Sequence, residues 1–242
     1  SSRIRARCPQ PAARRVGGWG RPLPPQGGAR GDGMPAYKVV LVGDAKVGKT
    51  SVLNSWASGG SGLSDVYEPT VSPELTTKDV SVDGRPVRLQ VWDMGFGEPH
   101  TEKQFPRYVG GAAGAVLMYD LSDPPSVDGV AHWHEQVCGL VGRGCALVVA
   151  GCKSDLCAAP GVGSRVREFC ESIQAEHLET SAKNGADACR VFESLARALL
   201  RQADPSWRPA AVAATLPSAG LAAAAPPAPG AAAAPGLSAG VA

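Results

Sequence analysis

The stretch Gly43-Asp44-Ala45-Lys46-Val47-Gly48-Lys49-Thr50 matches the pattern G-x-x-x-x-G-K-S/T, and its flanks decide the fold. Ahead of it, Tyr37 to Val42 reads as a short buried strand; behind it, a helix is predicted from about Lys49 to Ala57. A Gly-rich turn leading from a strand into a helix N-terminus is a phosphate cradle. Its successive backbone N–H groups and the positive end of the helix dipole bind anionic oxygens without needing a side chain. Lys49 adds a mobile cation, and the Thr50 hydroxyl can sit on Mg²⁺, a hard ion that prefers oxygen ligands and keeps several waters. Lys46 is expected to face solvent. The bland alternative, a turn that ends in Lys-Thr by chance, leaves the preceding strand unexplained.

Working outward, Glu74 to Val82 alternates toward Asp83-Gly84 and Val87 to Trp92 alternates away from it, the pattern of a β-hairpin. Ala115 to Tyr119 and Ala146 to Ala150 are apolar runs. Between them Val127, Val130, Trp133 (or His134), Val137 and Leu140 have helical spacing. A helix from about Arg165 to Ala175, a short strand around Leu178 and a last helix from Ala186 to Leu200 continue the alternation. The expected fold is α/β: a three-layer P-loop domain with a mostly parallel sheet covered on both faces. In such sheets ligands sit beyond the carboxyl ends of the strands.

Composition sets this domain within 34–202 of the 242 residues. Residues 1–33 carry seven Arg against Asp32, with many Gly and Pro, and are read as a disordered basic arm. Its prolines spoil the amphipathic helix that a transit peptide uses. Met34, just before the first strand, leaves open whether the arm is natural. Residues 203–242, mostly Ala, Pro and Gly, are read as a disordered tail. The arm contributes +6 to a formal net charge of +2, so the remainder sums to −4 and no nucleic-acid partner is expected. Seven cysteines lie scattered without zinc spacing, so reduced thiols are expected. His132 and His134 flank Trp133 without a third ligand at metal spacing, which favours surface or packing roles. No apolar run reaches the roughly 18 to 20 residues that span a bilayer, so a soluble chain is expected unless lipidated.

A phosphate cradle leaves the base unspecified. Lys153-x-Asp155 follows the strand Ala146 to Ala150, and Ser181-Ala182-Lys183 follows the strand near Leu178. Each is weak alone, but in this order after the cradle they select guanine, because a carboxylate at Asp155 accepts both N–H donors of the N1 and N2 edge that adenine lacks.

With these motifs the chain from about Tyr37 to Leu200 resembles a Ras-superfamily small GTPase, with Rab the nearest branch. The resemblance also rests on Tyr67-Glu68-Pro69-Thr70 in the first switch, Leu89-Gln90-Val91-Trp92-Asp93 entering the second, Tyr119-Asp120 and Glu179-Thr180. It implies six strands, five parallel and one antiparallel, with five helices. It implies GTP or GDP with Mg²⁺ as ligands, and hydrolysis of GTP. Asp44, Ala45, Lys46, Val47, Gly48, Lys49, Thr50, Ser51, Thr70, Phe96, Cys152, Lys153, Asp155, Ser181, Ala182 and Lys183 would form the GTP site. Thr50, Thr70 and Asp93 would serve Mg²⁺, Asp93 through water, and Lys49 and Thr70 would serve catalysis. Effector, exchange-factor and activating proteins would engage the switches. Trp92, Tyr108 and Leu75 would present an apolar patch to effectors, or else lie in the core.

The chain departs from the family at informative places. The usual run D-T-A-G-Q-E reads here Asp93-Met94-Gly95-Phe96-Gly97-Glu98. Phe96 replaces a Gly that offers its N–H to the γ-phosphate, and Gly97 replaces the Gln that orients the attacking water, so slow hydrolysis is expected. A register in which Gly95 or Gly97 takes over the γ-phosphate contact stays open. Cys152 replaces the Asn of N-K-x-D, and Leu63 stands where many relatives have a ring against the base. Affinity for GDP and GTP is therefore expected to be looser than in a typical Rab. The last cysteine is Cys189, so the C-terminal prenylation cysteines of Rabs are missing and membrane association stays open. The expectation is a cytoplasmic monomer, or one peripheral on endomembranes. The leading reading is a Rab-type switch in vesicle trafficking; the alternative is a guanine-nucleotide-binding interaction module without useful turnover. An adenine-nucleotide kinase has only the cradle in its favour.

Overall fold

The computed structural model describes residues 33–60, 70, 72–95, 99–142, 144–156 and 158–207. The arm 1–32, the tail 208–242, Leu63, Tyr67, Glu68, Pro69, Phe96, Gly97 and Glu98 lie outside the described residues. The elements are β1 (Ala36–Val42), α1 (Lys49–Ser58), β2 (Glu74–Val82), β3 (Arg85–Asp93), α2 (Pro99–Val109), β4 (Gly114–Asp120), α3 (Pro125–Val141), β5 (Ala146–Cys152), α4 (Val162–Ile173), β6 (Glu176–Glu179) and α5 (Gly185–Ala203). They build one six-stranded sheet in the order β2-β3-β1-β4-β5-β6. Only the β2–β3 hairpin is antiparallel.

Strand alternation sorts the core into two layers. Val39 and Leu41 of β1, with Val116 and Met118 of β4, meet α1 and α5 on one face, where Trp56 stacks on Phe192 at 4.1 Å between centroids. Val40 and Val42, with Ala115, Leu117 and Tyr119, meet α2, α3 and α4 on the other. Because β1, β4 and β5 are buried on both faces, they read in sequence as continuous apolar runs. The chain leaves β1 for one face, whereas its neighbours β3 and β4 send theirs to the opposite face. That divergence opens a crevice at the carboxyl end of β1.

Periodicity alone gives no element between β3 and β4; α2 stands there and completes the five helices that the resemblance implies. Pro106 lies inside that helix and reads as a breaker, while Phe105 and Val109, four residues apart, are its buried anchors. α4 also starts earlier than about Arg165, at Val162 behind Gly161 in a left-handed conformation, and stops before Gln174, another left-handed residue. At the C-terminal end α5 runs past Leu200 to Ala203, and Trp207 beyond it is buried against the α1/α5 layer. The Arg85 guanidinium lies 5.7 Å from that indole centroid and pairs with Asp204 at 3.3 Å.

Candidate functional site

Gly43 opens the cradle with φ +150, and a Cβ there would lie 2.1 Å from the Met118 carbonyl oxygen, so only glycine lets β1 pass β4 into the turn. Val47 is buried beneath the loop, while Ala45, Lys46 and Ser51 are exposed. The buried Lys49 ammonium donates to the carbonyls of Gly43 at 3.0 Å and Asp44 at 2.7 Å, curled over the space in front of the α1 N-terminus. Burial lowers its pKa, opposed by Asp93, Cys152 and Asp44. Asp44 turns away from that space: its carboxylate accepts from the Trp133 indole N–H at 2.8 Å, tying the cradle to α3.

Thr50, Thr70 and Asp93 meet at the far side of the cradle. The Thr50 hydroxyl donates to Asp93 Oδ2 in a short bond, so its lone pairs are left to accept from Thr70 Oγ1 at 2.8 Å. Asp93 is buried, which raises its carboxyl pKa against the pull of Thr50 and Lys49. Its Oδ1 is buried without a hydrogen-bond partner among the described residues. These residues fit Mg²⁺: two hydroxyls bound at right angles to an ion with bonds of about 2.1 Å lie about 3 Å apart, and the orphan carboxylate oxygen suits a metal-bound water.

The opposite end of the crevice is polar and differently built. Asp155 accepts from Ser181 Oγ at 2.7 Å and pairs with Lys183 at 2.8 Å, and these partners hold its carboxyl below the usual range. Ser181 is buried, Ala182 half-buried and Lys183 exposed. Lys153 adopts a left-handed backbone, φ +61, and its ammonium lies 2.6 Å from Asp120 Oδ2. Burial opposes ionisation of Asp120, but hydrogen bonds from Lys153 and Ser122 outweigh it and keep its pKa low. Cys152 is fully inside, its thiol pushed up to about 12 by burial, and it donates to the Ala150 carbonyl at 3.9 Å. A Cβ built on Gly48 would stand 3.5 Å from Cys152 Cβ, so the base loop passes the cradle here with room for a methyl group between them.

A family model for the Ras family matches residues 38–201. The chain belongs to the Ras family. The chain is 30% identical over 168 residues to Rab-13 of Rattus norvegicus, covering 68% of this chain and 80% of that protein. It is 30% identical over 178 residues to Rab-21 of Bos taurus (73% and 79%), and 29% identical over 170 residues to Rab-21 of Geodia cydonium (70% and 73%). It is a Rab-like small GTPase of the Ras superfamily, with the mostly parallel P-loop fold expected from its sequence.

In this Ras-family chain Leu75 is 49% exposed and sits opposite Trp92 in the hairpin register, outside the core. Trp92 and Tyr108 are half-buried, with ring centroids 5.2 Å apart, and the Lys38 ammonium lies 5.9 Å from the Trp92 ring. His132 and His134 form no metal group among the described residues; His134 instead meets Cys138 Sγ at 3.4 Å and the edge of Phe169. Three residues were named from sequence, but their partners at the site were not. Asp120 was legible only as a family motif, without its Lys153 partner. Trp133 was placed by helical spacing alone, and nothing in spacing could pair it with Asp44 across 89 positions. Gly95 was read only as an alternative γ-phosphate contact, without the Thr70 main chain that lies against it.

Proposed function

We propose that this Rab-like protein is a GTP/GDP-binding molecular switch serving intracellular vesicle traffic, with slow intrinsic hydrolysis of GTP. The convergence of Thr50, Thr70 and Asp93 beside the Lys49 ammonium carries this reading, because a polyphosphate-bound cation makes use of all four. Mg²⁺, when bound, neutralises charge on the β- and γ-phosphates. The chain's own residues do the rest. Backbone N–H groups of 44–51 and Lys49 hold the phosphates. Thr50 and Thr70 offer hydroxyls to the metal, and Asp93 orients its water. Lys153, Asp155, Ser181, Ala182 and Lys183, with Cys152 beneath, take the guanine. The Leu75, Trp92 and Tyr108 surface receives effectors, and exchange and activating proteins act on the switches.

Replacing Lys49 by alanine removes about one charge-assisted contact's worth of anion attraction, and retention of bound GDP is expected to fall about 10- to 100-fold. Retention left unchanged would sink the assignment of the cradle. Extraction and identification of the nucleotide that co-purifies with the native chain tests the base: adenine nucleotide, or none, would do the same for the guanine reading.

A second reading, an interaction module without turnover, is favoured by Gly97 standing where the family run has Gln. Single-turnover hydrolysis with and without Mg²⁺ separates the two. A background rate despite tight binding selects the module.

A further inference from the structure

Gly95 follows directly on Asp93 and the fully buried Met94, at the place where the family run D-T-A-G-Q-E has alanine. A Cβ built on Gly95 would fall 1.8 Å from the Thr70 carbonyl oxygen, 2.7 Å from its carbonyl carbon and 3.1 Å from its Cβ. Gly95 is absent from the positive-φ residues, so its backbone is one that any residue adopts. Glycine is therefore required here for space alone. The volume a methyl group would take is filled by the main chain of Thr70.

We infer that Gly95 is a positioning residue for the metal site: by admitting the Thr70 carbonyl, it sets the Thr70 hydroxyl at hydrogen-bond distance from Thr50 and beside Asp93. The inference rests on the Mg²⁺-nucleotide reading above and deepens it. The floor cannot yield in place of Thr70, because Asp93 is held between Leu41 of β1 and Glu74 of β2, and Met94 is sealed in the core. To clear a methyl group, the Thr70 oxygen must retreat from 1.8 Å to at least about 3 Å, a shift of more than about 1 Å. The same shift applied to the 2.8 Å contact between Thr70 Oγ1 and Thr50 Oγ1 carries it beyond hydrogen-bond range. The two hydroxyls then no longer stand at the spacing that two adjacent ligands of one Mg²⁺ require.

The test is the Mg²⁺ dependence of GTP retention in the full chain, for the native protein, Gly95→Ala, Thr70→Ala and the double variant, with melting curves for each. Gly95→Ala is expected to raise the Mg²⁺ concentration for half-maximal retention by about 10- to 100-fold, the scale on which losing a group that orients a metal ligand acts. Retention in excess EDTA should be unchanged. On the Thr70→Ala background the same substitution should add nothing, because the hydroxyl it displaces is already gone. Additive effects, an unshifted Mg²⁺ midpoint or a Gly95→Ala chain without a melting transition would each overturn the inference. If instead the native chain retains GTP with no Mg²⁺ dependence at all, the metal-nucleotide reading fails and takes this one with it.

Discussion

Replacing Asp120 by asparagine isolates one electrostatic contact under the base loop. The native carboxylate accepts from the Ser122 N–H at 2.8 Å and the Ser122 hydroxyl at 2.6 Å through Oδ1, and meets the Lys153 ammonium at 2.6 Å through Oδ2. Asparagine keeps the shape and the two Ser122 bonds but turns an amide N–H₂ toward Lys153. A hydrogen bond between charged groups is worth about 1.5 to 3 kcal/mol. The Lys153 side chain is 35% exposed, so water replaces part of the loss and about 1 kcal/mol remains. Lys153 holds its left-handed backbone two residues before Asp155, so the loss appears as misplacement of the base loop. Release of a fluorescent GDP analogue should quicken about fivefold, and the melting temperature without nucleotide should drop only slightly. Unchanged release from a folded variant would refute the view that Asp120 acts through the base loop.

Two further perturbations probe the frame. Trp207→Ala opens a cavity between α5 and the hairpin and removes the Arg85 contact; urea unfolding should show a loss of about 3 kcal/mol, and a change under about 0.5 kcal/mol would put the ring in solvent. His177, whose Nε2 lies 2.8 Å from the buried Tyr119 hydroxyl, has its pKa lowered by burial, so the folded state favours the neutral ring. Its contribution is complete above the ordinary value of 6.5 and is lost as pH falls from there through the lowered one. His177→Phe should therefore flatten the fall in melting temperature between about pH 7.5 and pH 5.5; parallel profiles would rule the group out.

Much of the frame was legible because its signals are local. The strands of the sheet announced themselves as apolar or alternating runs, and the cradle as a fixed spacing between a strand and a helix. α2 did not, since Pro106 interrupts its pattern and, among its described side chains, only Phe105 and Val109 are buried. The composition of the tail concealed Trp207, one aromatic ring in an Ala- and Pro-rich stretch, whose burial needs the hairpin as a partner. Cys152 was legible as a missing amide, but its place opposite Gly48 was not.

By itself the sequence determined the P-loop fold, the Rab-like family and the chemical kinds at each end of the crevice. The fold and the chemical kinds follow from periodicity and from spacings within one turn or strand, where chain connectivity alone holds the residues together; the family follows from the resemblance of its motifs. Tertiary structure decided which distant groups meet: Trp133 on Asp44, Lys153 on Asp120, and the Thr70 main chain in the space left by Gly95. Such pairings depend on how helices and strands stack to ångström tolerance, and a close-packed interior fixes that only when every layer is in place.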